Sequence, residues 1–317
     1  MSLPTITWDV DPVLIHYPSW LPLPGDGLRY YSLLYVMVFL GGYKLLDWQI
    51  RRAGGRDEDG NDFVLYGVVA VLAGARFGHV FFYEWDRFVE KFPTDPLWVF
   101  KIWQGGLASH GATIGLLLAM YLFTKRRGQS FIEGCDRFSF SAALGSTLIR
   151  IGNLFNSEIV GRPTDGSWGF KFPRYAEDRH LDLADVPLRH PSQIYETALG
   201  LITLASLYLL DKKLGREKRP RGALISMFFA VYFTGRFVVE FFKANQSPFE
   251  ANLPLTMGQL LSIVPALAGY LGLFVSLKKN IPARWNVPGR DAEPPAAPPT
   301  GGSKSGDSDV DEVMAGR

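Results

Sequence analysis

Three arginines stand in stretches that are otherwise apolar: Arg76 in Gly74-Ala-Arg76-Phe-Gly78, Arg150 in Leu148-Ile-Arg150-Ile-Gly-Asn153, and Arg236 in Thr234-Gly-Arg236-Phe-Val-Val-Glu240. A guanidinium donates in a planar fork that matches two oxygens of a phosphate, so such arginines beside amides and phenols suit a phosphate mono- or diester. The neighbours are of that kind: Asn153 and Asn156 follow Arg150, and Tyr232, Arg236 and Glu240 share one helical face at i, i+4 spacing. A candidate base is His110, in Ser109-His110-Gly111-Ala112, where small residues permit close backbone approach. Each has a plainer alternative. An arginine can snorkel to a polar boundary or form a structural ion pair, and a histidine can simply pack between helices.

The elements that must hold these residues read as membrane spans. The 317-residue chain is 47% hydrophobic and 14% aromatic, and its mean hydropathy of +0.06 hides a division into apolar runs, charged loops and a polar tail. The runs fall at about 30–47, 63–83, 105–124, 138–156, 193–210, 222–242 and 257–277. Their lengths match a hydrocarbon core of roughly 30 Å. The expectation is an all-α, polytopic membrane protein with seven transmembrane helices over 1–280, an outer loop at 158–190, and a disordered cytoplasmic tail at 281–317. Lysine and arginine crowd alternate loops, at Arg51, Arg52 and Arg56, at Lys125 to Arg127, from Lys212 to Arg221, and at Lys278, Lys279 and Arg284. The positive-inside rule makes that side cytoplasmic, with the N-terminus outside and the C-terminus inside. No lysine or arginine precedes Arg29, so the first segment lacks a signal-peptide n-region and is expected to stay attached. Trp85, Trp98, Trp103 and Trp168 then form an outer interfacial belt, with Asp95 to Trp103 along the surface.

A charge at the centre of a span costs about 2.5–3.5 kcal/mol on insertion scales, so Arg76, Arg150 and Arg236 need compensation. In this topology the polar residues gather at one end: Arg76 and His79, His110, Arg150 to Glu158, Tyr232 to Glu240, Tyr30 and Tyr31, and His190, Gln193 and Glu196. Independent snorkelling would populate both ends. The expectation is a polar, arginine-rich cavity open to the outer leaflet, suited to a phospholipid headgroup. A net charge of +2 excludes the basic excess of a nucleic-acid binder, and the single Cys135 excludes a disulfide framework. No HExxH or aspartate-rich motif is present, so no metal or cofactor is expected. Lys212, Arg219 and Pro220 fit part of a lipid-phosphatase signature, but its partner motifs are missing and they read as positive-inside loop charge.

Together the segments resemble bacterial prolipoprotein diacylglyceryl transferase. Arg150-Ile-Gly-Asn153-Leu-Phe-Asn156-Ser-Glu158-Ile-Val-Gly161-Arg162 is similar to the family signature R-x-G-N-x-x-N-x-E-x-x-G-R. Gly74-Ala-Arg76-Phe-Gly78, Ser109-His110-Gly111, Gly161-Arg-Pro-Thr-Asp165, His190-Pro-Ser-Gln193-Ile-Tyr195-Glu196, Gly235-Arg236-Phe-Val-Val-Glu240 and Met257-Gly258-Gln259 stand in the family's order over roughly 29–275. Two positions depart: Ala112 replaces the second glycine of the usual His-Gly-Gly, and Ile149 stands where glycine usually precedes the signature arginine. The resemblance implies a seven-helix enzyme of the bacterial cytoplasmic (inner) membrane. It would move diacylglyceryl from phosphatidylglycerol to the lipobox cysteine of a preprolipoprotein and release glycerol 1-phosphate.

That chemistry needs a thiolate, and a cysteine thiol with a pKa of about 8.5 can lose its proton to a histidine near neutral pH. His110 is the expected base. Arg150, with Asn153 beside it, is expected to bind the lipid phosphate, and Arg236 to stabilise the charge on the leaving group. Tyr31, Glu158 and Glu240 orient these groups or touch substrate, and Arg162, beyond the helix, is expected to matter less. A lipid or organic-anion transporter would generally place its site at the midplane and often repeat its halves. Neither feature is evident. A purely structural scaffold leaves the polar set unexplained.

Overall fold

The computed structural model describes residues 5–21, 25–101, 105–166, 168–178, 186–245 and 254–285, all within one compact unit, Met1–Asn286. Trp103, much of the loop before His190 and the tail beyond Trp285 lie outside the described residues. In chain order come β1 (Thr5–Thr7), β2 (Val13–His16), β3 (Gly27–Arg29), α1 (Tyr30–Arg52), α2 (Asp57–Tyr83), α3 (Trp85–Lys91), a 3₁₀ turn (Pro96–Phe100), α4 (Ser109–Arg126), α5 (Phe131–Phe155), β4 (Gly169–Lys171), α6 (Pro173–Asp178), α7 (Ser192–Lys213), α8 (Ala223–Val239), a 3₁₀ turn (Glu240–Phe242) and α9 (Met257–Lys279). Two small two-stranded sheets, β1 parallel to β4 and β2 antiparallel to β3, interrupt an otherwise helical molecule.

Each of the seven apolar runs lies largely in one long helix. Among the described residues, four helical segments could cross a membrane by length and composition: α2, α7, α8 with its following turn, and α9. Leu261, Val264, Leu267, Leu271 and Phe274 of α9 are all exposed, a contiguous apolar face of the kind soluble surfaces avoid.

The helices run past the apolar limits at the basic end, because charge there is paired. α5 begins at Phe131, seven residues before the run expected at 138. Arg137 lies 2.6 Å from Glu133 and 2.6 Å from Glu217, both ends of the first pair being fully buried. Asp136 accepts from the backbone of Gly222 at 2.6 Å and Ile225 at 2.8 Å, satisfying donors at the start of α8. Arg52 reaches Asp211 and Glu217, each at 2.6 Å. Arg219, on the same basic loop, joins this cluster, 3.4 Å from Glu133 and fully buried. Buried charges persist only when paired, and a partner three helices away is invisible in loop composition.

Close approach is set by glycine. Gly74 and Gly78 on α2 face Gly111 and Gly115 on α4, and a Cβ added to Gly74 would sit 2.3 Å from the carbonyl oxygen of Gly111. This small-residue seam brings the two backbones together and fixes the α2–α4 pair. α5 packs against α1, α4, α7 and α8, and α8 runs along α9.

Trp98, expected in the outer aromatic belt, is buried within the protein at 2% exposure, under the guanidinium groups of Arg76 and Arg87, each 4.9 Å from its ring. Ile281 to Trp285, assigned to the tail on composition, pack on the body. The Ala283 N–H donates to Arg219 at 3.0 Å, and the Trp285 indole donates to Asp59 at 3.0 Å.

Candidate functional site

The signature segment runs off the end of α5 and turns sharply. Arg150 donates to Asn153 Oδ1 at 3.0 Å, one helical turn on. Asn153 Nδ2 donates to Glu158 Oε1 at 2.7 Å, and Asn156 Nδ2 to the same oxygen at 3.3 Å. Glu158 is flanked by two non-glycine residues in the left-handed region, Ser157 at φ 52° and Ile159 at φ 55°. For a β-branched residue that conformation costs on the order of 1–3 kcal/mol, and such strain persists where the surroundings enforce it. Here α7 enforces it: Ser192 Oγ donates to the Ile159 carbonyl and Gln193 Nε2 to the Glu158 carbonyl, each at 2.8 Å. His190-Pro-Ser-Gln193 thus acts as a clamp on the turn carrying Glu158.

Arg150 and Arg236 are connected through buried side chains. Arg150 Nε lies 3.3 Å from Glu196 on α7, and Glu196 lies 3.6 Å from Lys243 Nζ. Lys243 donates to Glu240 Oε1 at 2.8 Å, and Glu240 lies 3.7 Å from Arg236. Signs alternate along this five-residue chain, and its central Lys243 is 2% exposed. The alternation compensates charges that could not be buried singly. Sequence reading places Glu196 among the outer polar residues and does not single out Lys243. The signal for Lys243 was its i, i+3 spacing from Glu240.

The Met257-Gly258-Gln259 motif supports Glu240. A Cβ at Gly258 would sit 2.2 Å from the Glu240 carboxyl carbon, so only glycine lets that carboxylate lie at the start of α9. Gln259 accepts from the Thr256 backbone at 3.0 Å, Thr256 Oγ1 accepts from Gln259 N at 3.2 Å, and the same hydroxyl donates to Glu240 Oε2 at 3.5 Å. A capping box therefore doubles as a carboxylate support. Arg162 donates through Nε to the Lys243 carbonyl at 2.8 Å, tying the segment after α8 to the signature loop.

Tyr31, on α1, lies over Gly152, where a Cβ would meet its ring at 2.2 Å. It interacts electrostatically with Glu158 and Asn153, and Tyr31 and Tyr232 both interact with Arg150. The structure thus gathers Tyr31, Arg150, Asn153, Glu158, Arg236 and Glu240, six of the expected site residues.

Arg76, His79 and His110 stand elsewhere, on the α2–α4 pair. Arg76 does not join the other two arginines. Its guanidinium is held by carbonyls, at 2.8 Å from Val99 and 3.0 Å from Gly105. His110, in the first turn of α4, packs against the rings of Phe82 and Tyr83, with centroids at 4.9 and 5.7 Å. Its Nε2 is buried without a hydrogen-bond partner. Among the described residues no ion pair or hydrogen bond joins His110 to the Arg150 chain. Ala112 continues the helix normally, its N–H donating to the Ala108 carbonyl at 3.0 Å. No metal-binding cluster occurs among the described residues.

The family model "Prolipoprotein diacylglyceryl transferase" matches residues 18–275. Proteins named phosphatidylglycerol–prolipoprotein diacylglyceryl transferase align over most of the chain. That of Chloroherpeton thalassium is 37% identical over 275 residues, covering 86% of this chain and 95% of the relative. That of Tolumonas auensis is 35% identical over 274 residues, covering 86% and 98%, and that of Porphyromonas gingivalis 37% identical over 290 residues, covering 88% and 98%. The match spans the helices and turns that build the Arg150–Arg236 chain, so the protein belongs to the prolipoprotein diacylglyceryl transferase family.

Proposed function

We propose that this protein transfers the diacylglyceryl group of phosphatidylglycerol to the lipobox cysteine thiol of a preprolipoprotein and releases glycerol 1-phosphate. The observation that carries the reading is the buried chain from Arg150 through Glu196, Lys243 and Glu240 to Arg236, which holds two guanidinium groups at a fixed spacing. In the reaction the thiolate sulfur attacks the glyceryl carbon esterified to phosphate. The carbon–oxygen bond breaks, its electron pair leaves with glycerol phosphate, and the thiol proton goes to the base. Arg150 and Asn153 bind the phosphate, Arg236 stabilises the charge that builds on the leaving oxygen, and Tyr31, Glu158 and Glu240 orient them. His110 takes the thiol proton, a role supported by the unpartnered Nε2; the substrates bridge it to the arginines.

The protein works in the bacterial cytoplasmic membrane with seven spans, its N-terminus outside, its C-terminus inside, and its site facing the outer leaflet. The loop charges and the four apolar helices support this arrangement. The test is incubation of purified protein with phosphatidylglycerol and a lipobox peptide, followed by mass spectrometry. A thioether-linked diacylglyceryl adduct on the cysteine is expected, and an unmodified peptide would overturn the proposal.

A further inference from the structure

The end of α2, the short helix α3 and the Pro96–Phe100 turn enclose a cavity of about 130 Å³ lined by Arg76, His79, Glu84, Arg87, Trp98, Gly105 and Gly106. It involves none of the residues of the Arg150 chain. Its cationic wall is fixed: besides Val99 and Gly105, Arg76 donates to the carbonyls of Gly106 at 3.3 Å and Trp98 at 3.4 Å, and its side chain is 5% exposed. Arg87 closes the rim, donating to Glu84 Oε1 at 2.7 Å, with its side chain 50% exposed. The other Glu84 oxygen lies 3.5 Å from His79 and 3.7 Å from Arg76. Two guanidinium charges thus face one carboxylate, so the lining keeps a positive excess. Trp98, buried at 2% exposure, contributes an indole N–H with no hydrogen-bond partner. A buried donor left without an acceptor is costly, and an incoming oxyanion would relieve it.

The backbone is shaped for the same purpose. Gly106 has φ +75°, and a Cβ there would sit 2.5 Å from Arg76 and 2.6 Å from the His79 ring, so any side chain would fill the mouth. On the same elements, the end of α2, the start of α3 and the Pro96–Phe100 turn, Phe77, Phe81, Phe82, Tyr83, Trp85 and Phe100 are exposed. A girdle of aromatic side chains beside a cationic pocket is the composition of the level where acyl chains give way to headgroups.

We propose that this cavity is a second phosphate-ester site, separate from the Arg150 chain, which takes the glycerophosphate head group of an anionic phospholipid. The phosphate accepts from Arg87, His79 and the Trp98 indole, with Arg76 as the fixed charge behind them, while the acyl chains lie on the aromatic girdle. The proposal rests on this cavity and does not require the transfer reaction.

The test counts phosphatidylglycerol retained by the purified full-length protein from mixed micelles, by native mass spectrometry. Arg76 is buried and its replacement endangers folding, so the rim is changed instead, with Arg87→Gln and His79→Gln. Loss of a charge-assisted contact predicts about a tenfold fall in occupancy of one lipid, equal in the wild-type and Arg150→Gln backgrounds because separate sites contribute independently. Soluble glycerol 1-phosphate is added as competitor. Displacement of that lipid identifies the free phosphate ester as a ligand as well, and retention identifies the membrane lipid as the sole source. Unchanged occupancy in both rim variants, or a fall seen only when Arg150 is intact, overturns the second site.

Discussion

Lys243 is held between two carboxylates in a place where water does not reach, 2.8 Å from Glu240 and 3.6 Å from Glu196. Removing its charge leaves Glu196 with Arg150 alone and Glu240 with the more distant Arg236, and breaking a buried pair costs about 3–5 kcal/mol. Lys243→Met is therefore expected to lower the thermal midpoint in detergent and to reduce transfer by freeing Arg150 and Arg236 from their fixed spacing. Lys243→Arg, which restores the charge, should recover most of the stability but less of the rate, because a planar fork cannot reproduce the ammonium position. Equal loss in both variants would argue against a charge role. His110 is probed differently. His110→Gln keeps hydrogen bonding but removes basicity, so lipid retention should survive while thioether formation falls about 10²-fold, with partial recovery as pH approaches the cysteine pKa of about 8.5. Loss of lipid retention with transfer would assign His110 to binding or packing. Arg150, Asn153 and Glu158 were legible in the sequence because one helical turn and one tight loop contain them. Glu196 and Lys243 pair across α7 and the end of α8, a distance no spacing pattern encodes.

At the scale of elements, small residues decide how near the machinery can come together. Gly258 opens α9 beside the Glu240 carboxylate, and an added methyl would meet it at 2.2 Å. Gly258→Ala is expected to push Glu240 off Thr256 and Lys243, lowering transfer severalfold or more with only a modest change in thermal midpoint, since the α8–α9 packing below is untouched. Equal activity of the variant and the parent in the peptide assay would show that Glu240 can yield. The seven apolar runs found the long helices, yet the start of α5 was missed because Glu133, Asp136 and Arg137 read as loop residues. Their burial depends on partners from three other segments, and that same cluster carries a pH dependence. Burial alone would raise the Glu217 carboxyl, but Arg137, Arg219 and Arg52 outweigh it and hold it below its ordinary 4.5. A depressed carboxylate contributes stability that is complete above the unfolded value and lost as pH falls through the folded one. Thermal midpoints should therefore decline below pH ~4.5, and Glu217→Gln should flatten that decline.

For the whole molecule, the question is how helices of such different polarity share one membrane. α9 is apolar and exposes one face along much of its length, whereas α5 carries buried polar residues throughout and is surrounded by α1, α4, α7 and α8. An interior helix can be polar because its neighbours, not lipid, are its solvent. This accounts for α5 missing from the four segments that pass on apolar composition alone, and it makes orientation a matter for loop charge. If that charge governs, Lys125 faces the cytoplasm and Asp182 the outside. Single cysteines placed there, after Cys135→Ala removes the native thiol, should label from opposite faces of sealed vesicles of known sidedness. An impermeant maleimide added outside right-side-out vesicles should reach position 182 at once and position 125 only after permeabilisation. Cys135 is itself buried, so its removal should not disturb either loop. Labelling of both positions from one face would mean an even number of crossings between them. The seven-span arrangement places one there, the run at 138–156, so that outcome would refute it.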